Sequence, residues 1–403
     1  MADAVPTGLE LTALDKPFRE NPYPILAKLR QCERVHHDQV FKRYVFTRHD
    51  DVMAILRDRD LWSDPRKGNP GTFSREVLGN DDEEPSMLLM DDPGHRRLRE
   101  LVYRSFTPRA VEQWRSRARA VADRVIGEID GSEFDLMEKV ARPIPTVVIA
   151  ELLGVDPSMH ESFKQWSHDS VEVAFSPVKE EAAVRLAEKA QASLDAFFEE
   201  EIRRRRSESG EDLISQLVAA EAVGDRLSVA EVISTCNLLL AAGNLTTTDL
   251  IGNGTKAFLD HPDQMEKLRA QPGLMKNAVE EILRYDSPVV NSGRIANADM
   301  EIGGVKIARG ESLSVTLAAA NRDPDVYPEP DRFDIEREDT HHQSFGGGRH
   351  LCMGAHLARL EAQETFFALF DRFPEIHALE GRYEYAPVPS FRSLKSLWVR
   401  VAR

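Results

Sequence analysis

The sequence predicts a mainly α chain with a smaller β portion, an α+β fold. Three observations predict it. Helical periodicity dominates from about residue 94 to 287, and a capped, apolar helix of about thirty residues lies inside that region. Short β-branched runs with glycine turns gather near 30–60, 288–320 and 375–403. Neither internal repeats nor a low-complexity linker interrupts the chain, so residues 1–403 read as one domain and not as the several that length alone would suggest.

In chain order, "RYVFT" (43–47) reads as a strand and "HDDVMAILRD" (49–58) as a helix. Residues 66–86 are rich in Gly, Pro and charge and read as a long loop. In "EEEIRRRR" (199–206) acids precede arginines at helical spacing, which predicts an exposed helix closed by Gly210. Ser228 and Glu231 form a capping-box pattern, and no proline follows until Pro262. The helix between them is apolar all round in its middle, so it should cross the core. After Cys352 a helix begins at about Met353, with Leu357, Leu360, Ala362, Phe366, Phe367 and Phe370 facing inward, and "SLWVRVA" (396–402) forms a last strand.

The chain has 52 Lys+Arg against 68 Asp+Glu, a net charge of −16, which argues against a nucleic-acid binder. The N-terminus lacks the basic and apolar regions of a secretory signal, and no unbroken apolar run approaches membrane-span length. Cys32, Cys236 and Cys352 are far apart and form no CxxC pair, so neither a disulfide framework nor a zinc site is expected, and a reducing cytoplasm fits best.

The stretch "SFGGGRHLCMGAHLARLE" (344–361) places Cys352 at a helix N-terminus, where free N–H groups and the positive dipole end favour a thiolate. Gly346, Gly347, Gly348 and Gly354 allow close backbone approach to something flat or bulky, with Arg349 and His350 as nearby donors. A thiol nucleophile and a plain glycine turn are the other readings, and spacing alone leaves them open.

The run Phe345-Gly-Gly-Gly-Arg-His-Leu-Cys352-Met-Gly354 resembles the haem-thiolate signature of the cytochrome P450 family. The resemblance implies that fold, a haem b cofactor, Cys352 as axial iron ligand, and Phe345, Gly346 and Gly354 packed against the porphyrin. Thiolate ligation pushes electron density onto iron and favours O–O cleavage. "EEILR" matches the family's buried E-x-x-R pair as Glu281 and Arg284, and "YPEPDRF" supplies Arg332 as third member of a structural triad. His95 and Arg99 in "DDPGHRRLRE", Arg294 and His350 match the partners of the haem propionates.

In the long helix the family pattern is an acid directly before a threonine, and this chain departs from it. Ala242-Gly243-Asn244-Leu245-Thr246-Thr247 retains the threonine as Thr246 and puts Leu245 at the acid position. Thr246 would hydrogen-bond above the iron, Gly243 would let the helix bulge there, and Asn244, ordered water or a hydroxyl carried by the substrate would stand in for the acid. The match places Leu238, Ala241, Val290, Asn291 and Phe391 at the substrate pocket, with residues 62–90 and 165–180 as looser candidates. These features imply a monooxygenase acting on an apolar small molecule. The alternatives are a nitric oxide reductase, a peroxide-driven enzyme, a form impaired in oxygen activation by Leu245, or a non-catalytic haem binder. Nine arginines between residues 94 and 124 form a basic island on an acidic chain. With Arg97, Arg104, Arg109, Arg349 and Arg359 as candidate contacts, that face suits an acidic ferredoxin fed by an NAD(P)H-dependent reductase.

Overall fold

A computed structural model describes residues 5–82, 84–208, 210–222 and 227–402. Its central helix, Val229–Asp260, starts where the sequence predicts. The Glu231 N–H donates to the Ser228 hydroxyl at 3.2 Å and the Ser228 N–H donates to the Glu231 carboxylate at 2.8 Å. Two N–H groups at the helix start are thereby satisfied. Over its most apolar window this helix has a mean hydropathy of 1.3, which reaches that of a membrane span although no unbroken apolar run does. Neighbouring helices cover it instead: Pro143–Leu153, His160–Ala174, Glu181–Ser207 and Ala355–Arg372 all pack against it. Val232, Cys236, Leu240, Ile251 and Phe258 join the largest apolar cluster from this helix.

The strands are β1 (Val35–Asp38), β2 (Arg43–Phe46), β3 (Glu133–Asp135), β4 (Asn291–Ile295), β5 (Met300–Ile302), β6 (Val305–Ile307), β7 (Ser312–Thr316), β8 (Glu375–Tyr385) and β9 (Leu394–Ala402). They form a four-stranded sheet in the order β1-β2-β7-β4, a three-stranded sheet β3-β9-β8 and a two-stranded sheet β5-β6. β2 runs parallel to β7 and β4 antiparallel to it, with Arg294 opposite Leu313. β3 is the strand outside the predicted β-rich regions. It pairs with β9 by burying Phe134, while Glu133 reaches Arg400 at 2.8 Å.

Three local expectations need correction. Residues 66–86 include a short helix, Phe73–Leu78, because Ser74 and Val77 face inward at helical spacing. The "RRRR" segment is not wholly solvated: Arg205 is buried, its Nε 3.0 Å from Asp212, and Gly210 lies past the helix end at Ser207. The C-terminal helix begins at Ala355 with Gly354 as N-cap, so Cys352 sits in the loop just before it.

Candidate active site

The cysteine loop is held from three sides. The Cys352 N–H donates to Phe345 O at 2.9 Å, closing the loop on itself. Gly348 has φ +65°, and a Cβ there would lie 2.3 Å from the Leu56 carbonyl, so only glycine fits against the end of helix His49–Arg57. The Ser344 hydroxyl donates to Leu283 O at 2.6 Å, anchoring the loop to helix Met275–Tyr285. At Gly346 (φ +69°) the nearest atom to such a Cβ is 3.9 Å away, and at Gly354 none comes within 4 Å. These two glycines therefore leave a flat backbone surface beside the sulfur.

Beneath the loop, Arg359 stacks on Phe345 with 4.4 Å from guanidinium to ring centroid and grips Glu280 through Nε and Nη2 at 2.6 and 2.8 Å. His342 Nε2 lies 3.1 Å from the same carboxylate. Burial pushes Glu280 up, but hydrogen bonds from His342 and Arg359 outweigh it and hold the group down at about 2. Burial pushes His342 down, so its ring is neutral near pH 7 and Arg359 is the charged partner.

Burial also raises the pKa of the Cys352 thiol, while the Gly354 N–H, Arg99 and Arg359 pull it down. The residue is nonetheless exposed by surface area. Both hold because the sulfur lines a cleft whose walls displace most of its water. A further cation against the sulfur would stabilise a thiolate there, and a haem iron would supply it. Cys236, by contrast, is buried in apolar core and its thiol is pushed up to about 12.

Around the same cleft the structure brings together all four donors that the resemblance names. The His95 and His350 rings lie 4.2 Å apart. Arg99 Nη2 donates to Leu351 O at 2.6 Å and Arg294 Nη1 to Gly293 O at 2.7 Å. Burial drives Arg294 down to about 10, with Arg349 adding to the effect, and Asp91 opposes it. Burial, then Arg294, His95, Arg349 and Arg99, take His350 down to about 2, and its buried Nε2 has no hydrogen-bond partner among the described residues. A cluster of donors this frustrated calls for an anion with several acceptor oxygens. Two propionates on a flat ring, with iron against Cys352, fit that demand and the glycine surface together.

Glu281 and Arg284 are fully buried and paired bidentately at 2.7 and 2.9 Å. Their third partner is Arg337, whose Nε lies 3.2 Å from Glu281, and not Arg332. The Arg332 side chain is exposed, pairs with Glu329 and Asp334, and lends only its carbonyl to Arg284 at 3.1 Å. Two arginines five residues apart in one loop gave no sequence signal for choosing between them.

On the central helix, Leu238, Ala241, Leu245 and Thr246 are half-buried and Ala242 is exposed, a stripe that the neighbouring helices leave partly uncovered. The Thr246 hydroxyl donates to Ala242 O at 2.8 Å. Gly243 and Asn244 face elsewhere. A Cβ on Gly243 would meet the Ile149 side chain at 3.1 Å, so this glycine permits close packing on helix Pro143–Leu153, and the helix runs unbroken through it. Asn244 is buried and its Oδ1 accepts from Thr146 at 2.8 Å, so it does not stand in for an acid on the cleft side. Val290 is also displaced: it packs with Leu11, Phe18 and Val45. Strand alternation puts Val289 and Asn291 on the other face, and Val289 bridges to Phe391. Phe391 meets Phe175 edge-on at 5.7 Å, bringing the 165–180 segment to the same wall. Cavities of about 740 and 730 Å³ lie elsewhere, beside Phe134 and beside Tyr23, and neither includes Cys352.

Among the described residues, four of the nine arginines of the basic island are in ion pairs within the fold. Arg97 pairs with Glu231, Arg115 with Glu112 and Glu364, Arg117 with Glu151, and Arg119 with Asp123 and Asp371. Arg349 turns inward to Leu61 O at 2.5 Å, and Arg359 braces the cysteine loop. Of the five candidate docking arginines, Arg104 and Arg109 are exposed.

Comparison with known proteins agrees with this geometry. The family model described as Cytochrome P450 matches residues 78–378. The chain is 37% identical to cytochrome P450 monooxygenase PikC of Streptomyces venezuelae, over 99% of this chain and 96% of that protein. It is 40% identical to vitamin D(3) 25-hydroxylase of Pseudonocardia autotrophica, over 90% and 89%. The solved structure of P450BioI in complex with hexadec-9Z-enoic acid ligated acyl carrier protein superimposes with a TM-score of 0.88 at 33% identity, covering 96% of this chain and 100% of that one. With a thiol and an anion-seeking donor cluster arranged about one cleft, this chain belongs to the cytochrome P450 family, as a bacterial-type monooxygenase with haem b as its cofactor.

Proposed function

We propose that this monooxygenase inserts one oxygen atom from O2 into a C–H bond or alkene of an apolar small molecule of terpenoid, fatty or aromatic type. Its electrons come from a separate ferredoxin and an NAD(P)H-dependent reductase, within the cytoplasm. The observation that carries the reading is Cys352 beside the buried donor cluster of His95, Arg99, Arg294 and His350, with no carboxylate set against His350 Nε2 among the described residues.

Haem bound through a thiolate favours O–O cleavage. His95, Arg99, Arg294 and His350 would hold the propionates, and Cys352 the iron. Thr246 donates its hydroxyl proton to Ala242 O, so its oxygen lone pairs are left to accept a hydrogen bond on the cleft side. Leu238, Ala241, Leu245, Val289 and Phe391 make an apolar wall that excludes water, and Asn291 offers one polar group to orient a substrate. Of the candidate docking arginines, Arg104 and Arg109 are exposed and would steer an acidic partner.

The test is turnover of a compound that shifts the haem spin state, with NADH, ferredoxin and reductase. Oxygen-dependent product supports the proposal. Leu245 at the acid position favours a second reading, nitric oxide reduction or peroxide-driven oxygenation. NADH oxidation by nitric oxide without a partner, or product from peroxide alone, would select it.

A further inference from the structure

Oxygen reduction consumes protons, and the cleft wall offers few groups to hold one. Between Glu231 and Lys256 the central helix carries a single carboxyl, Asp249, and no cation. Ala242, Leu245, Thr246 and Asp249 stand at i, i+3, i+4 and i+7, so they share one stripe. Ala242, Leu245 and Thr246 lie where that stripe meets the cleft. One turn on, Asp249 is 4% exposed, under the segment that leads into β9. There the Ser393 hydroxyl donates to Asp249 Oδ2 at 2.6 Å, and Ser393 itself is only half-buried.

We propose that Asp249 is the proton-holding residue of this site, acting through Thr246 and refilled from solvent by way of Ser393. The inference rests on the monooxygenase reading and deepens it. In the step, a proton leaves the Asp249 carboxyl and passes by water to Thr246 Oγ. As Thr246 Oγ receives that proton, its hydroxyl turns off Ala242 O and gives its own proton to the dioxygen under reduction, whose electrons come from the redox partner. The remaining carboxylate keeps the Ser393 hydrogen bond and takes one proton back from solvent, so protons balance. Burial pushes the Asp249 carboxyl well above the usual range. Ser393 and Arg142 oppose that shift and Asp286 adds to it, so this carboxyl holds its proton more tightly than an exposed one. Leucine at 245 has no such proton to give.

The experiment uses the reduced holoenzyme with carbon monoxide bound, and infrared difference spectra on photolysis in H2O and D2O. The expected result is a protonated-carboxyl C=O band that responds to loss of carbon monoxide, moves down in D2O and is lost in Asp249→Asn. Ser393→Ala should shift that band without abolishing it. No responsive carboxyl band, or one that survives in Asp249→Asn, overturns the proposal. Should Asp249→Asn not take up haem, Ser393→Ala decides alone, and an unmoved band counts against the relay. Failure of the underlying reading shows separately, because the reduced carbon monoxide complex of the unaltered protein would then lack the thiolate-type absorption.

Discussion

At the scale of single residues, the structure separates side chains that the sequence could not. Arg337 and Arg332 look equivalent in the loop, yet only Arg337 meets the buried carboxylate of Glu281. Arg337→Ala should therefore cost on the order of 3 kcal/mol in chemical unfolding, since it strips a partner from a buried ion cluster. Arg332→Ala removes exposed pairs and should cost less than about 1 kcal/mol. Equal losses would put Arg332 back in the triad. That Cys352, His95, Arg99, Arg294 and His350 gather in one place was legible because an unusual cysteine loop and matched donors mark them in the sequence. Val290 was not: one step along a strand exchanges the two faces, and the packing of Leu11 and Phe18 that fixes the choice comes from far away in the chain.

At the scale of elements, the central helix was legible at its start and obscure around its girth. The Ser228–Glu231 box declares the N-terminus by chemistry local to four residues. Ser228→Ala should cost about 1 kcal/mol of stability, read as a lower thermal midpoint. Which side of an all-round apolar helix meets Pro143–Leu153 is a tertiary fact, and so Gly243 and Asn244 were misassigned to the cleft. The cysteine loop and helix Met275–Tyr285 are tied together by Glu280, Arg359 and His342. Glu280 is depressed from 4.5 to about 2 in the fold, so its contribution is fully present above the unfolded value and is lost as pH falls from about 4.5 toward 2. Acid titration of stability should show a steeper fall in that window than for Glu280→Gln, which lacks this ionisation. Parallel curves would mean the pairing does not stabilise the loop.

At the scale of the whole molecule, charge counting alone misled. The acidic chain does carry a basic stretch, but ion pairs within the fold take up Arg97, Arg115, Arg117 and Arg119, and of the candidate docking arginines Arg104 and Arg109 point outward. Reversing both to Glu should weaken ferredoxin association by about tenfold or more at low salt, with little effect on haem content. Salt-insensitive, unchanged association would move the docking face elsewhere. The fold class was legible because helix length, strand clusters and caps are short-range signals, while the helix packing and the sheet pairing of β2 with β7 depend on segments remote in sequence. The proposed chemistry of the site requires ligation of the haem iron by Cys352. Its most direct measurement is the absorption spectrum of the reduced carbon monoxide complex, for the unaltered protein and for Cys352→Ala. The account predicts the red-shifted thiolate-type Soret band in the first and its loss in the second; a thiolate band that persists in Cys352→Ala, or is missing from the haem-loaded unaltered protein, would contradict it.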